Sequence, residues 1–209
     1  MSRMKFLSKL KKLPGKTAFL RVEINVNPQD GKNAFRFASS LPTIKLLLKK
    51  GARVLLMSHR GRPQAESSSQ NLETSSKSEL SLKPFAELLH KALNKKVVFL
   101  ENIPEKLPVI GDLFLLENLR FDEREEQNSV ELAMELAKLG DFYVNDAFAV
   151  SHRTNASMVE LPKLVPAFAG LLLEKEIVNL TKAMKSPKKP LVLIFGGAKI
   201  EDKSPVINN

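Results

Sequence analysis

Short blocks of consecutive apolar residues alternate along this chain with longer stretches in which apolar positions recur every three or four residues. The blocks fit strands buried on both faces, and the three-to-four spacing fits amphipathic helices. Residues 18–26 form the first block, ended by the turn chemistry of Asn27-Pro28-Gln29-Asp30-Gly31. Leu41-Pro42-Thr43-Ile44 opens a helix with apolar residues at Ile44, Leu47 and Leu48, and Gly51 stops it after two lysines that suit the helix dipole. The unit then repeats. Residues 54–57 predict a second strand, Ser81 caps a helix carrying Leu82, Phe85, Leu88 and Leu89, and residues 97–100 and 113–116 predict two more strands. A helix over 130–139 ends at Gly140, followed by a strand at 142–144, a helix over 172–184 and a strand at 191–195. The expected class is α/β: a three-layer, Rossmann-like parallel sheet with helices on both faces.

Two composition breaks interrupt this pattern. Residues 64–77 turn to Ser, Glu, Gln and Asn, too polar to bury, and predict an exposed loop beside His59. Lys185-Ser186-Pro187-Lys188-Lys189-Pro190 predicts a semi-rigid linker. The expected division is therefore one domain over 1–186, with 187–209 forming the linker and the start of a second.

Composition narrows the chemistry. The chain has no cysteine, which excludes disulfides and thiolate chemistry, and its three histidines are too dispersed for metal-ligand spacing. No metal site is expected. No run approaches the roughly 20 apolar residues of a membrane span, and residues 1–12 lack a signal peptide's unbroken apolar region. The expectation is a cytoplasmic protein without membrane contact. A formal charge of +10 favours phosphate-bearing partners, although lysine clusters such as Lys49-Lys50 also read as plain solvated surface. With one tyrosine and no tryptophan, stacking platforms for nucleic acid are scarce. Small anions are the favoured partners, and no nucleic acid is expected.

The carboxyl ends of parallel strands share one edge, where open α/β sheets bind ligands. The first predicted strand delivers Asn25 there, the second Ser58-His59-Arg60-Gly61-Arg62-Pro63, the fourth Glu117-Asn118-Leu119-Arg120, and the fifth Asn145-Asp146 and then His152-Arg153. Arginine's planar fork matches phosphate and carboxylate oxygens, so several converging there would hold a phosphorylated organic acid. Taken singly, each arginine also reads as a solvated loop residue, and His59 and His152 as ordinary capping or core-edge histidines. His90 lies in an amphipathic helix and receives no role. Gly196-Gly197-Ala198-Lys199 follows the last predicted strand and could bring backbone N–H groups and a lysine to a phosphate; a plain strand-to-helix turn is the alternative.

Together these segments resemble phosphoglycerate kinase, in register from about Phe19 to Asn209. Arg21-Val-Glu-Ile-Asn25, Leu41-Pro-Thr-Ile44, Ser58-His-Arg-Gly-Arg-Pro63, Ser81-Leu-Lys-Pro84, Glu117-Asn-Leu-Arg-Phe121, Tyr143-Val-Asn-Asp-Ala-Phe148, His152-Arg153 and Gly196-Gly-Ala-Lys199 are each similar to a family signature. The resemblance implies an N-terminal domain that binds 3-phosphoglycerate or 1,3-bisphosphoglycerate and a C-terminal domain that binds ADP or ATP with Mg2+. Hinge closure joins them for in-line phosphoryl transfer in glycolysis. It also implies roles for individual residues. Arg36, His59, Arg62, Arg120 and Arg153 would form the basic substrate pocket, with Ile24, Arg60 and Gly61 beside it, while Glu23 and Asn25 orient the hydroxyl end. Lys199, with Arg36, would serve the transferring phosphoryl group, and Gly197 and Lys203 the nucleotide.

This chain departs from the family pattern at four places, one of them the unusually serine-rich loop over 64–77. Glu23 replaces an aspartate, so its hydroxyl contact is expected to shift or weaken. Ala149-Val150 stands where Gly-Thr is usual, and Arg60 replaces a leucine. The resemblance places most of the Mg2+–nucleotide site beyond Asn209, so the chain alone is expected to be a catalytically inactive monomer. The alternative expectation is a non-catalytic module that binds 3-phosphoglycerate or a related anion.

Overall fold

The computed structural model describes residues 4–63 and 77–185, together with Pro190 and Val192. The chain divides into two compact units, Met1–Glu176 and Ile177–Asn209. The first unit contains the sheet: β1 (Thr17–Arg21), β2 (Arg53–Met57), β3 (Val98–Leu100), β4 (Leu113–Leu116), β5 (Phe142–Asn145) and β6 (Ala167–Ala169). All pairs are parallel, in the order β3-β4-β2-β1-β5-β6. The helices are α1 (Phe35–Lys49), α2 (Lys83–Leu93), the single turn α3 (Glu123–Glu126), α4 (Val130–Ala137), the single turn α5 (Leu161–Leu164) and α6 (Leu171–Lys185). In the second unit the described part of α6 exposes Val178 and Met184.

Because successive strand residues point to opposite faces, the apolar blocks feed two cores. Ala18, Leu20, Val54, Leu56, Leu113, Leu115 and Val144 meet Phe37, Ile44 and Leu47 of α1 and Phe85 and Leu89 of α2. Phe19, Leu55, Met57, Phe114 and Tyr143 meet Leu132 and Leu136 of α4 and Leu161 of α5. A three-layer α/β sandwich is the result.

Several boundaries differ from the sequence expectation. Helix α1 begins at Phe35, not at Leu41, and carries Pro42 in its interior. An internal proline costs about 3 kcal/mol. Here Phe37, Ser40, Thr43, Ile44 and Leu47 are all buried at helical spacing, so packing outweighs that penalty. The first strand stops at Arg21 although the apolar block runs to Val26. Beyond Arg21 the Ile24 N–H donates to Ser58 Oγ (2.9 Å), which draws the chain off the ladder while Val22 and Ile24 stay buried. Strand β6 was not anticipated, since Ala-Phe-Ala is too short a block to signal one. Its register on β5 supplies the pattern instead. Ser81 precedes the α2 N-cap, Leu82, but its Oγ still accepts from Lys83 N (3.1 Å). The predicted strand at 191–195 apart from Val192, nearly all of the polar loop, and Gly196-Gly197-Ala198-Lys199 lie outside the described residues.

Candidate active site

In this strand order the connection leaving β1 runs toward β2, and the one leaving β5 runs the opposite way, toward β6. Between such neighbours a crevice opens at the carboxyl edge, the usual ligand position in open α/β sheets. Arg21 ends β1 and Asn145 ends β5, paired in register, so both stand at its mouth.

His59, just beyond β2, is 3% exposed. Burial, then Arg21, Arg120, Arg153 and Arg36 in that order, lower its pKa to about 2. Four guanidinium groups from four separate segments therefore bear on one imidazole, which stays neutral at physiological pH. Arg120 is 5% exposed; burial depresses its pKa, Glu126 opposes this, and Arg153, Arg21 and Arg62 add repulsion. It remains protonated, as arginine does in proteins. The structure thus brings Arg36, His59, Arg62, Arg120 and Arg153 into one electrostatic neighbourhood.

Hydrogen bonds fix the loops that carry them. Asn118 Oδ1 accepts from the N–H groups of Arg60 (3.2 Å) and Arg120 (3.1 Å), while its Nδ2 donates to Arg60 O (2.7 Å) and Leu80 O (3.0 Å). Arg120 Nη1 donates to Gly61 O (2.6 Å), and its Nε pairs with Glu126 Oε1 (3.0 Å). Gly61 N donates to Asn25 Oδ1 (3.1 Å), tying the segment after β1 to the segment after β2. Gly61 has φ +62°, and a Cβ there would lie 2.5 Å from Leu80 Cδ2. Only glycine suits that turn.

Other predicted residues are placed differently. Glu23 forms an ion pair with Arg36, so the carboxylate expected to orient a hydroxyl is engaged by the neighbouring cation. Ile24 is buried and contributes its N–H to Ser58 rather than its side chain to the crevice. Arg60 lies 6.0 Å over the Phe85 ring and bonds Glu79 O, and it is not among the cations acting on His59. His152 is exposed. His90 Nδ1 is 2.9 Å from Lys95 O just past α2. Gly197, Lys199 and Lys203 lie outside the described residues.

Arg21 is not among the predicted site residues, although it opens one of the quoted motifs. Its side chain is 2% exposed. Nε donates to Ser157 Oγ (3.1 Å), Nη1 to Val22 O (2.8 Å), and Nη2 meets His59 Nδ1 (3.2 Å). The signal is position: arginine is rarely buried unless paired, and this one directly follows the apolar run Ala18-Phe19-Leu20 at the end of its strand. Behind it, buried Glu125 accepts from Ser157 N (2.9 Å) and Ser157 Oγ (2.6 Å). Among the described residues no group of three or more His, Cys, Asp or Glu side chains is arranged to hold a metal ion.

A family model described as "Phosphoglycerate kinase" matches residues 7–209. A phosphoglycerate kinase of Thermosipho africanus is 44% identical over 206 residues, covering 94% of this chain and 49% of that protein. One from Herpetosiphon aurantiacus is 43% identical, covering 93% and 50%. Among solved structures, phosphoglycerate kinase from Coxiella burnetii superposes with a TM-score of 0.79 at 37% identity, covering 96% of this chain and 50% of that one. The Pyrococcus horikoshii enzyme gives 0.77 at 34% identity. The chain spans about half the length of the curated relatives it matches. Six parallel strands in a matching fold, with arginines gathered on a buried histidine at the carboxyl edge, agree with that match: the chain belongs to the phosphoglycerate kinase family.

Proposed function

We propose that this chain supplies the 3-phosphoglycerate side of reversible phosphoryl transfer between 1,3-bisphosphoglycerate and ADP, giving 3-phosphoglycerate and ATP. Residues 1–186 are the substrate-binding domain on this reading, and 187–209 begin the nucleotide-binding one, with Gly197, Lys199 and Lys203 on the nucleotide side. The observation that carries the proposal is the cluster of Arg21, Arg36, Arg120 and Arg153 around a neutral His59. So much like charge in one crevice is unfavourable until a polyanion enters it.

Arg62, Arg120 and Arg153 hold the substrate's phosphate, where planar forks give charge-assisted bonds of defined direction. Arg36 leaves Glu23 to meet the carboxylate end, and Asn25 orients the hydroxyl. The carboxylate is itself the nucleophile, so positioning and charge neutralisation replace a general base. Bound Mg2+ would neutralise the nucleotide phosphates; the described residues offer no cluster to hold it. On this reading the partners are small molecules, the compartment the cytoplasm, and the state a monomer. Among the described residues no helix is long and apolar enough to cross a membrane.

Calorimetry with 3-phosphoglycerate tests this. Wild type is expected to bind, Arg120→Ala and Arg36→Ala to abolish detectable heat, and duplex DNA not to compete. A folded wild type that gives no heat defeats the proposal. The second reading, an anion-binding module without catalysis, draws on Arg21, Arg36, Arg120 and Arg153 all bearing on one histidine. Phosphoryl transfer from Mg2+–ATP after adding the other half of a relative would exclude it.

A further inference from the structure

The three hydrogen bonds of Arg21 settle the chemistry of His59. A guanidinium has donors and no acceptor, so His59 Nδ1, 3.2 Å from Arg21 Nη2, must be the accepting nitrogen. An imidazolium cannot accept, and the other neutral tautomer would set two N–H groups against each other. What remains is a neutral ring with its proton on Nε2. That nitrogen makes no hydrogen bond among the described residues, nor is it one of their sealed, partnerless polar atoms, Asn128 Oδ1 and Asp146 Oδ2. It is therefore open to a ligand.

The orientation of Arg21 is determined one step further back. Its Nε donates to Ser157 Oγ, so the hydroxyl must direct its single proton elsewhere, and Glu125 Oε1 lies 2.6 Å away. Glu125 Oε2 accepts from Ser157 N at 2.9 Å. Both residues are fully buried, at 1% and 0% exposure. A buried carboxylate is costly to keep, and apolar packing could fill the same space. Here each of its oxygens fixes one donor of Ser157, and the serine's lone pair fixes Arg21. The other charged groups bearing on the ring, Arg120, Arg153 and Arg36, are cations, so none of them can accept its Nε2 proton.

Resting on the substrate reading above, we propose that Glu125 is a positioning residue. Acting through Ser157 and Arg21, it holds His59 as a neutral imidazole that donates from Nε2 to the bound anion. A neutral donor adds direction to the pocket without adding another repelling charge.

The test is nitrogen NMR of the 209-residue chain with 15N-labelled histidine at neutral pH. His59 is expected to show an unprotonated Nδ1 and a protonated Nε2, as one tautomer. An imidazolium, or a ring protonated at Nδ1, in the folded wild type overturns the proposal without any variant. Ser157→Ala removes the hydroxyl, and Glu125→Gln cannot accept from both Ser157 donors, since an amide accepts through one atom and donates through the other. In each, the ring is expected to sample both tautomers, with 3-phosphoglycerate affinity about tenfold weaker. Ser157→Thr, which keeps the hydroxyl, is expected to retain both properties. A single unchanged tautomer in the folded Ser157→Ala chain overturns the positioning role. A wild type with the expected tautomer that gives no heat with 3-phosphoglycerate refutes the choice of ligand, and with it the claim that Nε2–H serves that anion. Binding with the ring in the wrong tautomer refutes the positioning alone.

Discussion

Acid should destabilise this protein through His59 in a way that a single substitution removes. The folded-state pKa of His59 is lowered from 6.5 to about 2 by burial and by the arginines around it. In the unfolded chain the same ring takes a proton below about pH 6.5. Below that pH the unfolded state therefore binds one more proton than the folded state, and stability falls as pH falls. Well below 6.5 each unit costs about 1.4 kcal/mol; the unfolded ring is already half protonated at 6.5, so lowering the pH from 6.5 to 4.5 costs about 2.3 kcal/mol from this residue alone. The residue is almost fully buried, so solvent screening does not reduce the effect much.

His59→Asn isolates it. The asparagine carbonyl can take the place of Nδ1 in accepting from Arg21 Nη2, and the side chain does not titrate. Urea unfolding of both proteins from pH 7 to 4.5 gives the assay. Other titrating groups act on the two proteins alike and cancel in the difference. Asp146 is one of them: burial raises its pKa, so its contribution is present at low pH and lost as pH rises. Wild-type stability is expected to drop by about 2.3 kcal/mol more than the variant's across pH 6.5 to 4.5. Parallel curves would refute the claim that His59 is held neutral by its surroundings.

Three further outcomes are expected. Gly61→Ala sets a methyl 2.5 Å from Leu80 Cδ2 at φ +62°, and should cost about 1–3 kcal/mol in denaturant unfolding while weakening anion binding, since Gly61 O also anchors Arg120. Asp146 Oδ1 accepts from Leu172 N (2.8 Å) and Leu173 N (3.1 Å) at the start of α6, so Asp146→Ala should lower stability by about 1–2 kcal/mol. Asp146→Asn keeps that oxygen and should lie closer to wild type; equal losses would show that the cap is not what matters. In thermal unfolding, 3-phosphoglycerate at 100 times its dissociation constant should add about 2.7 kcal/mol to wild type and nothing to Arg120→Ala.

The sheet was legible because strands buried on both faces leave uninterrupted apolar blocks, and residues 113–116 appear in sequence and structure with identical bounds. Where block and strand disagree, a side chain intervenes. Ser58 Oγ captures Ile24 N and ends β1 early, a contact between residues 34 apart that no local pattern carries. Leu41-Pro42 reads locally as a helix start, yet the buried spacing of Phe37, Ser40 and Ile44 extends α1 backward through it. The basic residues at the strand ends were legible from strand order alone. Their supports were not, because Glu125 and Ser157 follow β4 and β5 by several residues and look like ordinary loop chemistry until the fold closes.

The pocket's anions are as informative as its cations. Arg36 is held by Glu23, and Arg120 by Glu126 at 3.0 Å, while Arg21 reaches Glu125 only through a serine. The first two pairs are partly exposed, at 48% and 13% for Arg36 and Glu23 and at 5% and 38% for Arg120 and Glu126. Such pairs are weak enough to exchange for an incoming phosphate or carboxylate. The third chain is sealed, and its cation cannot be reclaimed by solvent. The site thus separates arginines that can change partner from one that cannot, and His59 stands against the fixed one. Glu23 follows the same logic: with one methylene more than the aspartate usual in the family, its carboxylate extends to Arg36. On the proposed function an incoming anion would have to displace this tethered competitor, so the departure at position 23 would bear on affinity more than on the hydroxyl contact.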